Sequence, residues 1–142
     1  MRKLSIALII LVMTAGMAFA AGPWEDGTYT AEQDSFDHGW KNMVHITVIN
    51  GYITNAHFDA IPEEGDKYKY VESVQGEYGM VENGGAQAPW YVQADRSAAR
   101  LVEMQDPRRV LNAGGVDAIS GVSITANSFF ELAQEALRGA RR

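Results

Sequence analysis

The stretch MVHITVINGYITNAHF, residues 43–58, limits the fold more than any other part of the chain. Two runs rich in β-branched residues flank Asn50-Gly51. A two-residue type I′ turn needs positive φ at both positions, and Asn-Gly supplies it at low cost. The prediction is a β-hairpin, and with it an antiparallel sheet. Val44, Ile46 and Val48 alternate with His45 and Thr47, so the first strand has one apolar face. The turn pairs Ile49 with Tyr52 and Val48 with Ile53. Continued without interruption, that register sets Asn55 opposite Ile46 and His57 opposite Val44. The apolar residues are instead Ala56 and Phe58, one place further on. An extra residue on the second strand restores the phase, so a β-bulge is expected near Asn55.

The rest of the chain reads as elements packed around this hairpin. Gly27–Gln33 carries Thr28, Tyr29 and Thr30 and predicts an earlier strand. Asp34–Trp40 is rich in turn formers and predicts a loop. Pro62 ends the hairpin's second strand, and Ile61–Lys67 is a loop. Tyr68–Glu77 predicts a weak helix, and Val81–Pro89 another loop. In Trp90–Met104, residues Tyr91, Ala94, Ala98, Leu101 and Val102 recur at intervals of three and four. That spacing predicts a helix with one apolar side, ended by Asp106-Pro107. A last helix runs from about Ser123 or Thr125 to Leu137, with Gly139 as its stop. The expected class is α+β: an antiparallel sheet with a central Asn-Gly hairpin and two or three helices packed on it.

Arg2 and Lys3 open the chain, followed by an apolar run from Leu4 to Met17 and by Ala18-Phe19-Ala20. A basic start, an apolar stretch shorter than a bilayer span and an A-x-A site predict a secretory signal peptide over residues 1–20. The remainder, 21–142, is one domain of 122 of the 142 residues. Removing two basic residues and no acid takes the formal charge from −6 to −8. Such a protein is a poor partner for nucleic acid or anionic lipid. There is no cysteine, which excludes disulfides, thiolate metal sites, thiol redox chemistry and a lipid-bearing N-terminal Cys. The expectation is a secreted or periplasmic protein with no stable membrane insertion after signal cleavage. No metal is expected, because His38, His45 and His57 share no i, i+4 spacing and Glu63-Glu64-Gly65-Asp66 lacks the calcium-loop pattern. Gly121–Thr125 departs from a G-x-S-x-G nucleophile elbow at its last position.

The chemistry-bearing stretch is DAISGVSITANSFFELAQEAL, from Asp117 to Leu137. Two readings of its start stand side by side. Ser123 or Thr125 is an ordinary N-cap of the last helix, worth about 1 kcal/mol. Alternatively, Ser120, Gly121 and Ser123 lie at a helix N-terminus whose unpaired N–H groups and positive dipole end hold a phosphate.

Asp117–Ser123 resembles the flavinylation motif Asp-x-x-Ser/Thr-Gly-Ala-Ser/Thr of the FMN-binding domain family. That family includes flavin-carrying subunits of the sodium-pumping quinone reductase and secreted flavoproteins of extracellular electron transfer. The resemblance extends further. Residues 26–59 are similar to its secreted, single-module branch, with a D-G-x-Y strand, an H-G-W-K loop and a hairpin turning on x-G. QDPRRV, residues 105–110, resembles the segment leading into the motif. Most of residues 26–137 are covered, and 65–95 match least. Val122 stands where the motif has Ala, and Leu111–Gly115 is added length.

The resemblance implies FMN joined by a flavin transferase, through its phosphate, to Ser123. Asp117, Ser120, Gly121, Val122 and Thr125 would surround the attachment point, with Asp117 positioning the loop or serving the transferase. His38 and Trp40 fall in the loop that resembles the family's and are expected near the ring. Tyr29, Trp90 and Tyr91 are further wall candidates, and Lys41 a donor to a reduced ring; each also reads as core packing or a solvated residue. The implied role is an electron carrier rather than an enzyme with its own substrate. Its partners would be redox proteins or a quinone-linked membrane reductase. The alternative is a non-redox surface antigen or small-ligand-binding module that keeps the fold without covalent flavin.

Overall fold

A computed structural model of the chain describes residues 20–142. Apart from Ala20, the signal peptide expected over residues 1–20 lies outside them. Three strands form one antiparallel sheet in the order β1 (Gly27–Glu32), β2 (Trp40–Ile49), β3 (Tyr52–Pro62). The hairpin turns at Asn50-Gly51 with φ of 54° and 81°. Val48 pairs with Ile53, but Thr47 pairs with Asn55, so Thr54 is the extra residue. The bulge expected beside Asn55 is present. It brings Ile53 before it, and Phe58 and Ala60 after it, to one buried face.

The turn is fixed from outside. One Asp26 carboxylate oxygen accepts the Gly51 N–H at 2.7 Å and the other accepts the Asn50 N–H at 3.0 Å. Gly22 lies directly on Gly51 and donates its N–H to the Asn50 carbonyl at 2.9 Å. A β-carbon on either glycine would overlap the other's carbonyl oxygen.

Four α-helices follow: α1 (Lys69–Val74), α2 (Trp90–Met104), α3 (Pro107–Asn112) and α4 (Asn127–Ala136). A 3-10 turn, Gly115–Ala118, precedes α4. The expected two or three helices are therefore two long ones, α2 and α4, and two of six residues each. The α2 range is the one the apolar spacing predicts. The unexpected helix is α3. Pro107 stops α2 but also starts a helix, because a first-turn residue needs no N–H. Asp106 caps it, accepting the Arg108 N–H at 2.9 Å. Between α2 and α3, Gln105 takes a left-handed conformation, φ 62°. Its side chain accepts the Ile53 N–H and donates to the Ile53 carbonyl, both at 2.8 Å. It fills the β3 edge beside the bulge as a single residue of a fourth strand would.

Both long helices cover the apolar face of the sheet, α2 against β3 and α4 against β2 and β1. Phe58 stacks on Phe129, ring centroids 4.9 Å apart, and meets Phe130 edge-on at 5.7 Å. Buried Trp24 donates its indole N–H to the Gln105 carbonyl at 2.8 Å. The two ends of the domain run beside each other: Glu25 N–H donates to the Ala140 carbonyl at 2.7 Å and Arg142 N–H to the Pro23 carbonyl at 2.9 Å.

Candidate functional site

The start of β2, the loop before it, α1 and the segment ahead of α4 enclose a cleft. Its larger part is about 480 Å³ and is bordered by His38, Trp40, Asn42, Lys69, Thr125 and Ser128. A smaller part of about 230 Å³ shares Asn42, Lys69, Tyr78 and Thr125 and adds Trp90 and Ser123. Ser123, Thr125, His38, Trp40 and Trp90, all sequence candidates, thus meet at one cleft. Small-molecule sites range from about 300 to 1,000 Å³, so the volume suits a flat heterocycle.

Trp40 and Tyr78 meet edge to face, centroids 6.2 Å apart. The Lys69 ammonium lies 5.2 Å from the Trp40 ring, 4.5 Å from Tyr78 and 5.2 Å from Trp90. Among the described residues Lys69 forms no ion pair. Its helix is held at both ends. Buried Asp59 accepts the Tyr70 N–H at 2.9 Å, and the Ser73 hydroxyl accepts the Tyr91 N–H at 3.0 Å. The His57 imidazole is raised above its usual range by its hydrogen bond to Asp59, which outweighs burial. Tyr70 is pushed up to about 12, first by burial and then by its hydrogen bond to Asp95. On the opposite wall Asn42 donates to the Ser128 hydroxyl at 2.8 Å, which donates to the Thr125 carbonyl at 3.0 Å.

The motif loop differs from its expected geometry. α4 begins at Asn127, after Ala126, with no side-chain cap, so neither Ser123 nor Thr125 caps it. Three of the loop's backbone donors, at residues 122–124, are also occupied. Val122 N–H donates to the Ile119 carbonyl at 3.3 Å. Ser123 and Ile124 N–H both donate to the side-chain carbonyl of Gln93, at 2.7 and 3.2 Å. Gln93 is 1% exposed and spends its amino group on the Ala88 carbonyl at 2.9 Å. The amides of residues 122–124 are therefore satisfied from inside. Ser123 is an exposed residue bordering the cleft, and its hydroxyl donates to the same Gln93 carbonyl at 3.4 Å.

The other motif residues separate. Gly121 has φ 74°, and its carbonyl accepts from Arg96 at 2.9 Å; a β-carbon there would strike that guanidinium. Val122 packs against the core, which accommodates its branched side chain. Asp117 is exposed on the 3-10 turn, and Ser120 borders a shallow depression with Arg96 and Arg100; neither lines the cleft. His38, with φ 49°, is at the rim, its ring 2.7 Å from the Asp37 carboxylate and almost fully exposed. Lys41 is paired with Glu32 at 2.7 Å, Tyr29 donates to the Glu25 carbonyl at 2.7 Å, and Tyr91 packs on Tyr70; none borders the cleft.

Comparison with known proteins places the chain among relatives. It is 49% identical to a Clostridium thermocellum protein solved by solution NMR, over 82% of this chain and 92% of that one, with a TM-score of 0.60. At that identity and coverage the two belong to one family. A Clostridium perfringens protein solved by crystallography is 26% identical over 82% of this chain and 88% of that one, with a TM-score of 0.65. The 15 kDa lipoprotein of Treponema pallidum is 27% identical over 138 residues, 96% of this chain and 89% of that one. No family model matches the sequence.

Proposed function

We propose that this relative of the Clostridium thermocellum protein is an exported FMN-binding flavoprotein that carries electrons outside the cytoplasm. The supporting observation is the cleft in which Trp40, Tyr78 and Trp90 gather beside the exposed Ser123, the last hydroxyl of the D-x-x-S-G-x-S segment. The residues fit the group: three aromatic side chains for a flat ring, with Asn42, Thr125 and Ser128 supplying polar contacts. FMN, when bound, supplies reversible electron uptake. Ser123 would hold FMN as a phosphate ester, its hydroxyl oxygen displacing the nucleoside monophosphate of a flavin dinucleotide donor on the transferase and its proton going to solvent. Gln93 accepts from both the Ser123 N–H and, at 3.4 Å, its hydroxyl, so the acceptor oxygen is held on a fixed loop beside the cleft. Asp117 and Ser120, exposed outside the cleft, are open to the transferase. The electron partners are redox proteins or a quinone-linked membrane reductase.

The treponemal relative's name, lipoprotein, supports an exported or membrane-associated protein. This chain has no cysteine to carry a thioether-linked lipid, and no helix among the described residues is long and apolar enough to cross a membrane. The secreted or periplasmic location follows from the expected signal peptide. A second reading, a small-ligand module without covalent flavin, draws on the capping of the Ser123 and Ile124 amides by Gln93.

The test is expression with the leader in a host that exports the protein and contains the transferase. The protein should be yellow, with a fluorescent flavin band that survives denaturing electrophoresis and is lost in Ser123→Ala. A colourless protein with no mass added to the mature chain rejects the flavin reading and favours the second.

A further inference from the structure

A phosphate at Ser123 cannot draw on the amides of residues 122–124, because Ile119 and Gln93 already accept from them. A cationic side chain is then the strongest partner the cleft offers its charge. Arg96 is engaged by the Gly121 carbonyl, and Lys41 by Glu32. Lys69 alone among these basic residues borders both parts of the cleft, including the part that contains Ser123. Among the described residues its ammonium lies over ring faces, 4.5 to 5.2 Å from their centroids, and forms no ion pair. Ring quadrupoles attract a cation weakly compared with an anion that accepts a charge-assisted hydrogen bond. The four-carbon stem can turn the ammonium off the rings while α1 stays tied to Asp59 and α2.

We propose that Lys69 is the phosphate-recognising residue of this cleft, giving it a preference for FMN over the same ring without phosphate. The proposal rests on the flavin reading and adds a residue that the D-x-x-S-G-x-S resemblance does not contain. It assigns one chain position two duties: covering the aromatic wall and neutralising the anionic tail.

The test uses the mature chain with Ser123→Ala, which cannot be loaded covalently. FMN and riboflavin are titrated separately and followed by flavin fluorescence. FMN should bind about tenfold more tightly than riboflavin, the equivalent of one charge-assisted hydrogen bond, and added salt should shrink the gap. Adding Lys69→Met should weaken FMN about tenfold more than it changes riboflavin, and so remove the preference; Lys69→Arg should keep it. A preference that survives Lys69→Met overturns the proposal, as does an equal weakening of both ligands. Failure of either flavin to bind also overturns it, whereas the denaturation-resistant band of the wild-type protein judges the flavin reading separately.

Discussion

Replacing Gln93 by Met probes the contact on which the motif loop depends. The two side chains are close in length and volume, and Met adapts its shape, so little cavity energy enters. The loss is in hydrogen bonds. Gln93 accepts from Ser123 N–H at 2.7 Å and from buried Ile124 N–H at 3.2 Å, and donates to the Ala88 carbonyl at 2.9 Å. Ser123 is exposed, and water replaces part of its loss. The Ile124 N–H and the Ala88 carbonyl are stranded away from solvent. Each such group costs about 1–3 kcal/mol, partly offset by burying an apolar side chain in place of an amide. The expected loss is about 3 kcal/mol, close to a 10 °C fall in melting temperature for a domain of this size. Urea unfolding of the mature chain, with an unchanged denaturant slope, measures it. Hydrogen exchange at Ser123 and Ile124 should quicken more than at the centre of α2. A loss below about 1 kcal/mol would refute the reasoning: those amides would then have other partners, and the loop would not hang on Gln93.

Two further outcomes follow from geometry. Gly51→Ala forces a left-handed residue with φ 81° against the Gly22 carbonyl, so it should cost at least about 2 kcal/mol. Gly65→Ala, with φ 86° and open space around it, should cost only the strain, about 1 kcal/mol; thermal melts of the pair separate overlap from strain. Asp106 gives a pH signature. Burial raises its carboxyl, but hydrogen bonds from Arg108 and the charges of Arg108 and Arg141 outweigh it and hold the group below its usual 3.8. A depressed folded-state value means stability that is present above the unfolded value and lost as pH falls through the folded one. Asp106→Asn should therefore be less stable than wild type near neutral pH, and chemical melts should show that gap closing below about pH 4.

What the sequence revealed was what short-range physics decides. Asn50-Gly51 needs no distant partner to turn, and the misphased apolar residues Ala56 and Phe58 require the bulge. Helix α2 carries its own periodicity. Helix α3 was hidden because Pro107 ends one helix and starts another, and Asp106 does its capping from a position that reads as a breaker. The start of α4 was misplaced because Ser123 and Thr125 are good caps in isolation, while Gln93, 30 positions away, had already taken the Ser123 amide. Ser123, Thr125, His38 and Trp40 were named from the chain and share the cleft. Lys69 and Tyr78 were not: one sits on a six-residue helix and the other in a loop, with no periodicity to mark them. Gln105 and Asp106, which resembled a lead-in to the motif, turn out to brace the bulge edge and cap α3.

The adjoining ends of the domain have a topological consequence. Trp24 bridges to Arg141, whose guanidinium also covers its ring, so the backbone is almost a closed circle. Order along the chain is then nearly independent of position in space. A short linker joining the tail to the head, with new ends cut in the exposed Glu63–Asp66 loop, leaves every strand pairing intact. Such a permuted molecule would carry its new ends beside α1 and leave the sheet's internal order unchanged.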